Sequence, residues 1–244
     1  MTSESTIDTA FVLAAGLGTR MRPITDTLPK PLVEVAGRTL LDHALDTLQQ
    51  SGVTRAVVNV HHLADQIEHH VASRSAPSIV VSDERAQLLD SGGGIAAALP
   101  LFEADAFFVL NADTFWREDE TDNLDAMRAA WDADMMDILL LLASHDQAVG
   151  FDGRGDFFMD DRGVLARRGD AAAAPHIYAG ALIIKRSCFD GETDKAFSLN
   201  RLFDRALENG RLHGCAMDGL WLHVGTPGAI GEAETALAAR AGAS

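Results

Sequence analysis

The sequence predicts an α/β fold with a Rossmann-like, mostly parallel central sheet, helices on both faces and a small β-rich extension on the substrate side. Through residue 145, short apolar runs typical of buried strands alternate with segments of helical periodicity. After residue 145 the pattern changes to short strands joined by turns. We expect a single domain over residues 1–244, with its two halves divided near residue 145.

The first-half strands are apolar runs bounded by turn residues. We predict these strands at 10–14, 56–60, 78–82, 107–110 and 138–143. Apolar residues at helical spacing predict helices at 39–50 and 62–72. One more helix is expected to bury an apolar stripe made of Leu124, Met127, Trp131 and Met135.

The second half begins with a predicted hairpin. Its strands are placed at 156–159 and 164–168, joined by an Asp-Asp-Arg-Gly turn. A further strand is expected at 180–185 and a helix at 230–241.

Composition and charge exclude several classes of protein. The chain carries 36 acidic and 20 basic residues, a net charge of −16, which argues against binding nucleic acid or an anionic membrane surface. No apolar run is long enough for a membrane helix, and the acidic start resembles no signal or transit peptide. Only two cysteines occur, Cys188 and Cys215, without CxxC or metal-type spacing, which excludes a secreted disulfide scaffold, so we expect a cytoplasmic protein. We expect either a monomer or a small homo-oligomer.

The most informative segment is LAAGLGTRMRP, which begins at Leu13, followed by PKPL around Lys30. Bare glycine backbone after a strand can approach phosphate oxygens closely, and Arg20 and Lys30 add two cations. The segment is neither a Walker A loop nor a dinucleotide fingerprint, because no Gly-Lys-Ser/Thr follows and Met21 stands at the third glycine position. Residues 11–40 carry a net charge of +2, so a phosphate site in this segment would be locally basic although the whole chain is acidic.

Together with later segments, this opening resembles the sugar-1-phosphate nucleotidyltransferases. The later segments are DSGGGI from Asp90, LNADT from Leu110, GDF from Gly155 and WLHVGTP from Trp221. The compact length and the DSGGGI and GRGDF segments are most similar to the N-acetylmuramate-1-phosphate uridylyltransferases of cell-wall recycling. The resemblance implies a nucleotide-binding half at 10–145 and a sugar-phosphate-binding half at 146–235.

The resemblance implies catalytic roles for Arg20 and Lys30 along the phosphates. It implies a nucleotide-binding set made of Ala14, Ala15, Gly16, Gly18, Thr19, Gly92 and Gly93, with Glu84 as a weaker candidate for hydrogen bonding to the base. On the sugar-phosphate side it implies Asn111, Asp156 and Gly180. The Glu-Lys-Pro segment that many relatives carry does not occur in this chain.

A metal site is expected at Asp113, which ends a buried strand where a carboxylate suits Mg²⁺, with Mn²⁺ as a second possibility. The resemblance places a second metal-binding Asp where this chain has His223. Three roles stay open for His223: direct ligation, contact through water, or no part in the site. Imidazole suits softer metals better than Mg²⁺.

The resemblance implies transfer of a nucleotidyl group from a nucleoside triphosphate, UTP above others, to a sugar 1-phosphate, N-acetylmuramate 1-phosphate above others. Alternatives are guanylyl or cytidylyl transfer to a mannose or heptose 1-phosphate or a phospho-alcohol, and a non-catalytic nucleotide-sugar-binding module. The histidines at 61, 62, 69 and 70 are interpreted as a solvated helix face rather than a zinc site.

Overall fold

The computed structural model describes residues 7–242. The strands are β1 (Thr9–Leu13), β2 (Glu34–Val35), β3 (Arg38–Thr39), β4 (Arg55–Val60), β5 (Ser78–Asp83), β6 (Ala106–Asn111), β7 (Thr114–Arg117), β8 (Ile138–Ser144), β9 (Ala148–Val149), β10 (Phe157–Met159), β11 (Leu165–Arg167), β12 (His176–Lys185), β13 (Leu212–Ala216) and β14 (Leu220–His223). The α-helices are α1 (Leu40–Gln50), α2 (Ala64–Val71), α3 (Asp90–Ala98), α4 (Asn123–Ala130), α5 (Asn200–Glu208) and α6 (Pro227–Ala241).

The central sheet is mostly parallel, as the sequence predicts. The strands β5, β4, β1 and β6 lie side by side and parallel. The long strand β12 is antiparallel to β6 on one side and to β8 on the other, and β13 pairs in parallel with β8. The hairpin of β10 and β11 joins the sheet at the start of β12. The carboxyl ends of β1, β4, β5 and β6 therefore meet at one edge.

Helices cover both faces of this sheet. The apolar residues of α1, α2 and α4 pack with one set of alternating strand side chains, which includes Ala10 and Val12. The helices α3 and α5 pack on the opposite face, where Phe11 points. Alternation along β1 thus places its side chains in two separate apolar layers, each covered by its own helices.

A second, three-stranded sheet lies beside the first. It pairs β7 with β14 and β14 with β9, and β7 begins only three residues after β6 ends. Phe115, Leu222 and Val224 bury one side of this sheet against α1 and α6. The short connection between β6 and β7 leaves Asp113 at the junction of the two sheets.

The helix predicted around residues 124–135 is wrong in its length. The helix α4 ends at Ala130, and Trp131 adopts an extended conformation while its N–H still bonds the Met127 carbonyl. Asp132 then starts a separate turn, since its carboxylate accepts from the backbone N–H of Asp134. Met135 is therefore 48% exposed instead of lying on an apolar stripe.

The other predicted elements are present. The five first-half strands and the hairpin are confirmed to within one residue at each end, while β12 begins four residues before its predicted start. The helices α3 and α5 were not predicted. Over residues 7–242, no helix is both long and apolar enough to cross a bilayer.

Candidate active site

A cavity of about 450 Å³ opens at the carboxyl edge of the parallel strands. Ligands of open α/β sheets bind at this edge, beyond the ends of the strands. The structure brings seven predicted site residues together in its lining: Ala14, Ala15, Gly16, Lys30, Glu84, Asn111 and Asp113. Asn59, Leu88, Asp90 and Ser91 also line it and were not predicted.

The glycine turn after β1 is shaped by Gly18 and Thr25. Gly18 has a φ of +61°, and a Cβ atom there would lie 2.9 Å from Thr25 Cγ2. The buried Thr25 hydroxyl donates to the Gly18 carbonyl over 2.8 Å. A short 3-10 turn, Thr19–Met21, follows and leaves Thr19 and Arg20 exposed. The turn thus presents a cation on a fixed backbone.

Lys30 and Asp113 form an ion pair at the cavity wall. The Lys30 Nζ atom lies 2.8 Å from Asp113 Oδ2, although the two residues are 83 positions apart. Lys30 is 8% exposed. Burial by itself would raise the pKa of Asp113, but the Lys30 ammonium, with His223 and Arg20 nearby, holds that pKa below its ordinary value. Asp113 is therefore a carboxylate at neutral pH.

His223 lies next to Asp113 because β7 and β14 are paired. In this ladder His223 is opposite Thr114, and the Val224 N–H donates to the Asp113 carbonyl over 3.1 Å. Burial, reinforced by Lys30 and Arg20, lowers the pKa of His223 against the opposing effect of Asp113. The imidazole is neutral at pH 7.

The His223 ring lies close to Arg20, and one of its two nitrogens is buried without a hydrogen-bond partner. A Cβ atom at Gly225 would lie 2.7 Å from His223 Nε2 and 3.3 Å from Arg20 Nη1, so Gly225 leaves room for both side chains. The Nδ1 atom of His223 is buried and has no hydrogen-bond partner. The His223 ring interacts electrostatically with the Asp113 carboxylate, and an imidazole nitrogen and a carboxylate are both ligands that a divalent ion accepts.

The described residues supply only part of the ligand set that a metal ion needs. Within residues 7–242, no group of three or more His, Cys, Asp or Glu side chains is placed to hold an ion. One carboxylate and one imidazole fit an ion that takes its other ligands from phosphate oxygens and water. The residues present therefore fit a metal that arrives with the triphosphate.

Glu84 is engaged within the protein at both oxygens. Its Oε1 accepts from Asn59 Nδ2 over 2.7 Å, and its Oε2 accepts from the Leu89 N–H over 3.2 Å. Burial raises the pKa of this 3% exposed carboxyl. Asn59 in turn accepts from the N–H groups of Ala14 and Ala15 at 2.7 and 3.2 Å. Asn59 was not predicted, but a polar residue near the end of an apolar strand is the sequence signal that could have identified it.

Gly92 and Gly93 lie in the first turn of α3 and outside the cavity lining. Both backbone N–H groups donate to the Phe197 carbonyl, at 2.8 and 3.0 Å. A Cβ atom at Gly92 would lie 2.4 Å from the Phe197 ring, and one at Gly93 would lie 2.2 Å from the Lys195 carbonyl. These glycines admit the 195–197 backbone, while Asp90 and Ser91 reach the cavity.

Asn111 and Gly180, both predicted as sugar-phosphate-binding residues, face each other. Gly180 has a φ of +86°, and a Cβ atom there would lie 2.3 Å from Thr114 Oγ1 and 3.3 Å from Asn111 Nδ2. The pairing of β12 with β8 shifts register between Tyr178 and Leu182, so Gly180 sits in a bulge. The bulge is held by Thr114 and Trp221, which both donate to the Ala179 carbonyl.

Asp156 supports this bulge from the hairpin. Its Oδ2 accepts from the Tyr178 N–H over 2.9 Å, so the carboxylate is partly engaged within the protein. The Tyr178 hydroxyl is buried without a hydrogen-bond partner. Burial raises the pKa of Tyr178, and Asp113 raises it further. Tyr178 was not among the predicted site residues, because its position depends on the bulge.

The histidine-rich segment is only partly a solvated face. The helix α2 begins at Ala64, so His61 and His62 precede it. The His62 ring contacts the Thr25 carbonyl at 2.9 Å, and His61 contacts the Glu84 carbonyl at 2.7 Å. His70 contacts Asp42 at 3.1 Å, while His69 is exposed. Two of these histidines therefore fasten the loops around the cavity.

Comparison with known proteins identifies the family of the chain. The model of the MobA-like NTP transferase domain matches residues 10–190. The chain is 47% identical over 233 residues to N-acetylmuramate alpha-1-phosphate uridylyltransferase of Caulobacter vibrioides, covering 94% of this chain and 96% of the relative. It is 33% identical over 235 residues to the protein of the same name from Neisseria meningitidis serogroup B, covering 92% of this chain and 96% of the relative.

Solved structures agree on the fold. HddC from Yersinia pseudotuberculosis, crystallised with GMP-PN, superposes with a TM-score of 0.76 at 22% identity, covering 94% of this chain and 99% of that one. The inositol-1-phosphate CTP transferase from T. maritima superposes with a TM-score of 0.74 at 18% identity, covering 91% of both chains. The chain belongs to the sugar-1-phosphate nucleotidyltransferases that carry a MobA-like NTP transferase domain.

Proposed function

We propose that this protein transfers the uridylyl group of UTP to N-acetylmuramate α-1-phosphate and releases pyrophosphate. The observation that carries the proposal is the Lys30–Asp113 ion pair beside the glycine turn, since it offers phosphate and metal a cation and a carboxylate at one edge of the sheet. Two relatives that this chain matches over nearly their whole length bear the corresponding name.

The nucleotide is assigned to the cavity. Ala14, Ala15 and Gly16 border it with backbone, which allows a base and ribose to approach closely. Arg20 and Lys30 are assigned to the triphosphate because they flank Asp113 from the glycine turn and from the segment after it. Two cations in this position offset the charge of the phosphates in a protein whose net charge is −16.

The reaction needs no proton transfer. An anionic oxygen of the sugar 1-phosphate forms a bond to the α-phosphorus of UTP. The bond from that phosphorus to the α,β-bridging oxygen breaks, and its electron pair leaves with pyrophosphate. Lys30 and Arg20 stabilise the charge that develops on the transferred group and on the leaving group. Because the attacking oxygen is already an anion, no general base is required.

A divalent ion, Mg²⁺ or Mn²⁺, belongs to the proposal. Asp113 and the neutral His223 ring would hold it, with phosphate oxygens filling the remaining positions. When bound, such an ion supplies further neutralisation of phosphate charge. Lys30, which already holds Asp113 as a carboxylate, keeps that ligand ready.

The sugar 1-phosphate is assigned to the bulge of β12. Asn111 presents an amide there, and Gly180 leaves space against Asn111 and Thr114. Asp156 is assigned to this side through its contact with Tyr178. A sugar of this kind places the reaction in the recycling of cell-wall material, and two free cysteines are in keeping with a cytoplasmic location.

Pyrophosphate release tests the proposal. UTP, GTP, CTP and dTTP would each be mixed with N-acetylmuramate, glucose, mannose and heptose 1-phosphates, with Mg²⁺ or Mn²⁺. We expect the largest kcat/KM for UTP with N-acetylmuramate 1-phosphate. A larger value for another pair would reassign the substrates, and no release from any pair, with nucleotide binding intact, would favour a binding module.

A further inference from the structure

The strands β1, β4 and β5 are tied together at their carboxyl ends by one buried amide. Asn59 is 2% exposed, and its side-chain oxygen accepts from two successive backbone N–H groups, those of Ala14 and Ala15. Two N–H donors require the oxygen of the amide on that side, so its nitrogen must point the other way. That nitrogen donates to Glu84, which follows β5.

Glu84 carries the connection onward to α3. Its second oxygen accepts from the Leu89 N–H, one residue before the helix begins. Asp90, the next residue, has a φ of +61° although it is not a glycine, and it lines the cavity with Ser91. An L-residue holds such a conformation only where its surroundings impose it. The Glu84–Leu89 bond fixes the backbone immediately before that residue.

The third glycine of the Gly-Gly-Gly run makes room for this pair. A Cβ atom at Gly94 would lie 2.5 Å from Glu84 Oε1 and 2.9 Å from Asn59 Nδ2. Gly92 and Gly93 instead face the 195–197 segment. The three glycines therefore serve two different contacts, and only Gly94 touches the side chains behind the nucleotide cavity.

We propose that Asn59 and Glu84 are a positioning pair that fixes the nucleotide-binding backbone at 14–15 and at 89–91 before the triphosphate binds. In this assignment Glu84 acts through its contacts with Asn59 and Leu89, and its carboxylate does not read the base. The proposal rests on the proposed function for the identity of the nucleotide, but not for the geometry of the pair.

An exchange of the two side-chain types isolates this role. Asn59→Asp sets two carboxylates against each other, and Glu84→Gln leaves an amide that cannot accept from both Asn59 and Leu89. The double variant, Asn59→Asp with Glu84→Gln, restores every hydrogen bond, and only the bond between positions 59 and 84 changes its direction. The new amide nitrogen at position 84 donates to the new carboxylate at position 59, and the amide oxygen accepts from the Leu89 N–H. The double variant also keeps the net charge of the wild type.

Two measurements would be made on each variant: the Kd for UTP, and amide hydrogen exchange at Ala14, Ala15 and Leu89. We expect each single variant to weaken UTP binding about tenfold or more and to speed exchange at these amides. The double variant should return to within about threefold of the wild type in both. Gly94→Ala, which changes neither polar group, should weaken UTP binding in the same way as Asn59→Asp.

A matched control is available in Asn123. This buried amide also donates to and accepts from backbone, at Asp218, but it is not part of the cavity lining. Asn123→Asp should lower stability and leave the Kd for UTP unchanged. A double variant as impaired as the single variants, or single variants with normal exchange and affinity, would overturn the positioning pair.

Failure of the proposed function gives a different result. If another triphosphate is the substrate, that nucleotide replaces UTP in the binding measurement, and the exchange pattern at Ala14, Ala15 and Leu89 stays as expected. If no nucleotide binds to the wild type, the proposed function fails while the exchange measurement still tests the pair.

Discussion

The two sides of the site differ in how far their polar groups are already satisfied. On the nucleotide side, Asn59, Glu84 and Thr25 are buried and bonded within the protein. On the side proposed for the sugar phosphate and the metal, the Tyr178 hydroxyl and His223 Nδ1 are buried without partners. Within residues 7–242, only Arg55 Nε and His213 Nδ1 share that condition.

This difference indicates two strategies for binding. A satisfied network is rigid, so the nucleotide side is shaped before its ligand arrives and little ordering is left for binding. Unsatisfied buried atoms lower stability until a ligand pairs with them. We therefore expect the proposed sugar phosphate and metal to complete the second side when they bind, and the following changes test that contrast in order of expected effect.

The largest effect is expected from Lys30→Met. This change removes a buried cation from the phosphates and leaves Asp113 without its partner, and we expect kcat/KM to fall by about 10³. Pyrophosphate release measures the loss. Lys185→Met is the matched control, because Lys185 also pairs with an aspartate, Asp137 at 3.1 Å, outside the cavity lining. Equal losses from the two variants would contradict the assignment of Lys30.

His223→Asp should change the choice of metal. A carboxylate suits Mg²⁺ better than a neutral imidazole does, so we expect the ratio of Mg²⁺-supported to Mn²⁺-supported kcat/KM to rise about tenfold. Mn²⁺ affinity, followed by electron paramagnetic resonance in the presence of UTP, gives a readout independent of turnover. Unchanged metal preference and affinity would remove His223 from the metal site.

Removing one hydroxyl on each side of the site should change the free energy of unfolding differently. Thr25→Val loses a bond to the Gly18 carbonyl and should cost about 1 kcal/mol of unfolding free energy. Tyr178→Phe removes an unpartnered group and should leave stability unchanged or higher. Its KM for the sugar 1-phosphate should rise about tenfold. Denaturant unfolding and steady-state kinetics measure both, and a stability loss of similar size in Tyr178→Phe would refute the contrast.

The smallest effect concerns pH and Glu84. Because burial raises its pKa, Glu84 in the folded protein holds its proton to higher pH than in the unfolded chain. Its contribution to stability is present below the unfolded carboxyl pKa and declines as pH rises through the folded value. The unfolding free energy of wild type minus that of Glu84→Gln should therefore fall between about pH 4 and pH 7. A difference that rises over this range would show the opposite shift.

Sequence patterns predicted the sheet because each parallel strand contains a short apolar run bounded by turn residues. Asp113 was predicted from the end of a buried strand and Lys30 from the PKPL segment, but neither pattern could show that the two residues contact each other across 83 positions. The helix α3 was missed because three glycines disfavour helix. Gly92 and Gly93 admit the 195–197 segment, and Gly94 admits the side chains of Glu84 and Asn59. The position of Tyr178 depends on a register shift in the pairing of β12 with β8, and no sequence motif predicts that shift.

³¹P NMR of the reaction mixture tests most directly whether the protein transfers a nucleotidyl group to a sugar 1-phosphate. With UTP, N-acetylmuramate α-1-phosphate and a divalent ion, we expect one equivalent of pyrophosphate for each new sugar-linked diphosphate, and neither product when the sugar phosphate is left out. Orthophosphate or UMP in place of these products, or pyrophosphate formed without the sugar phosphate, would contradict the account.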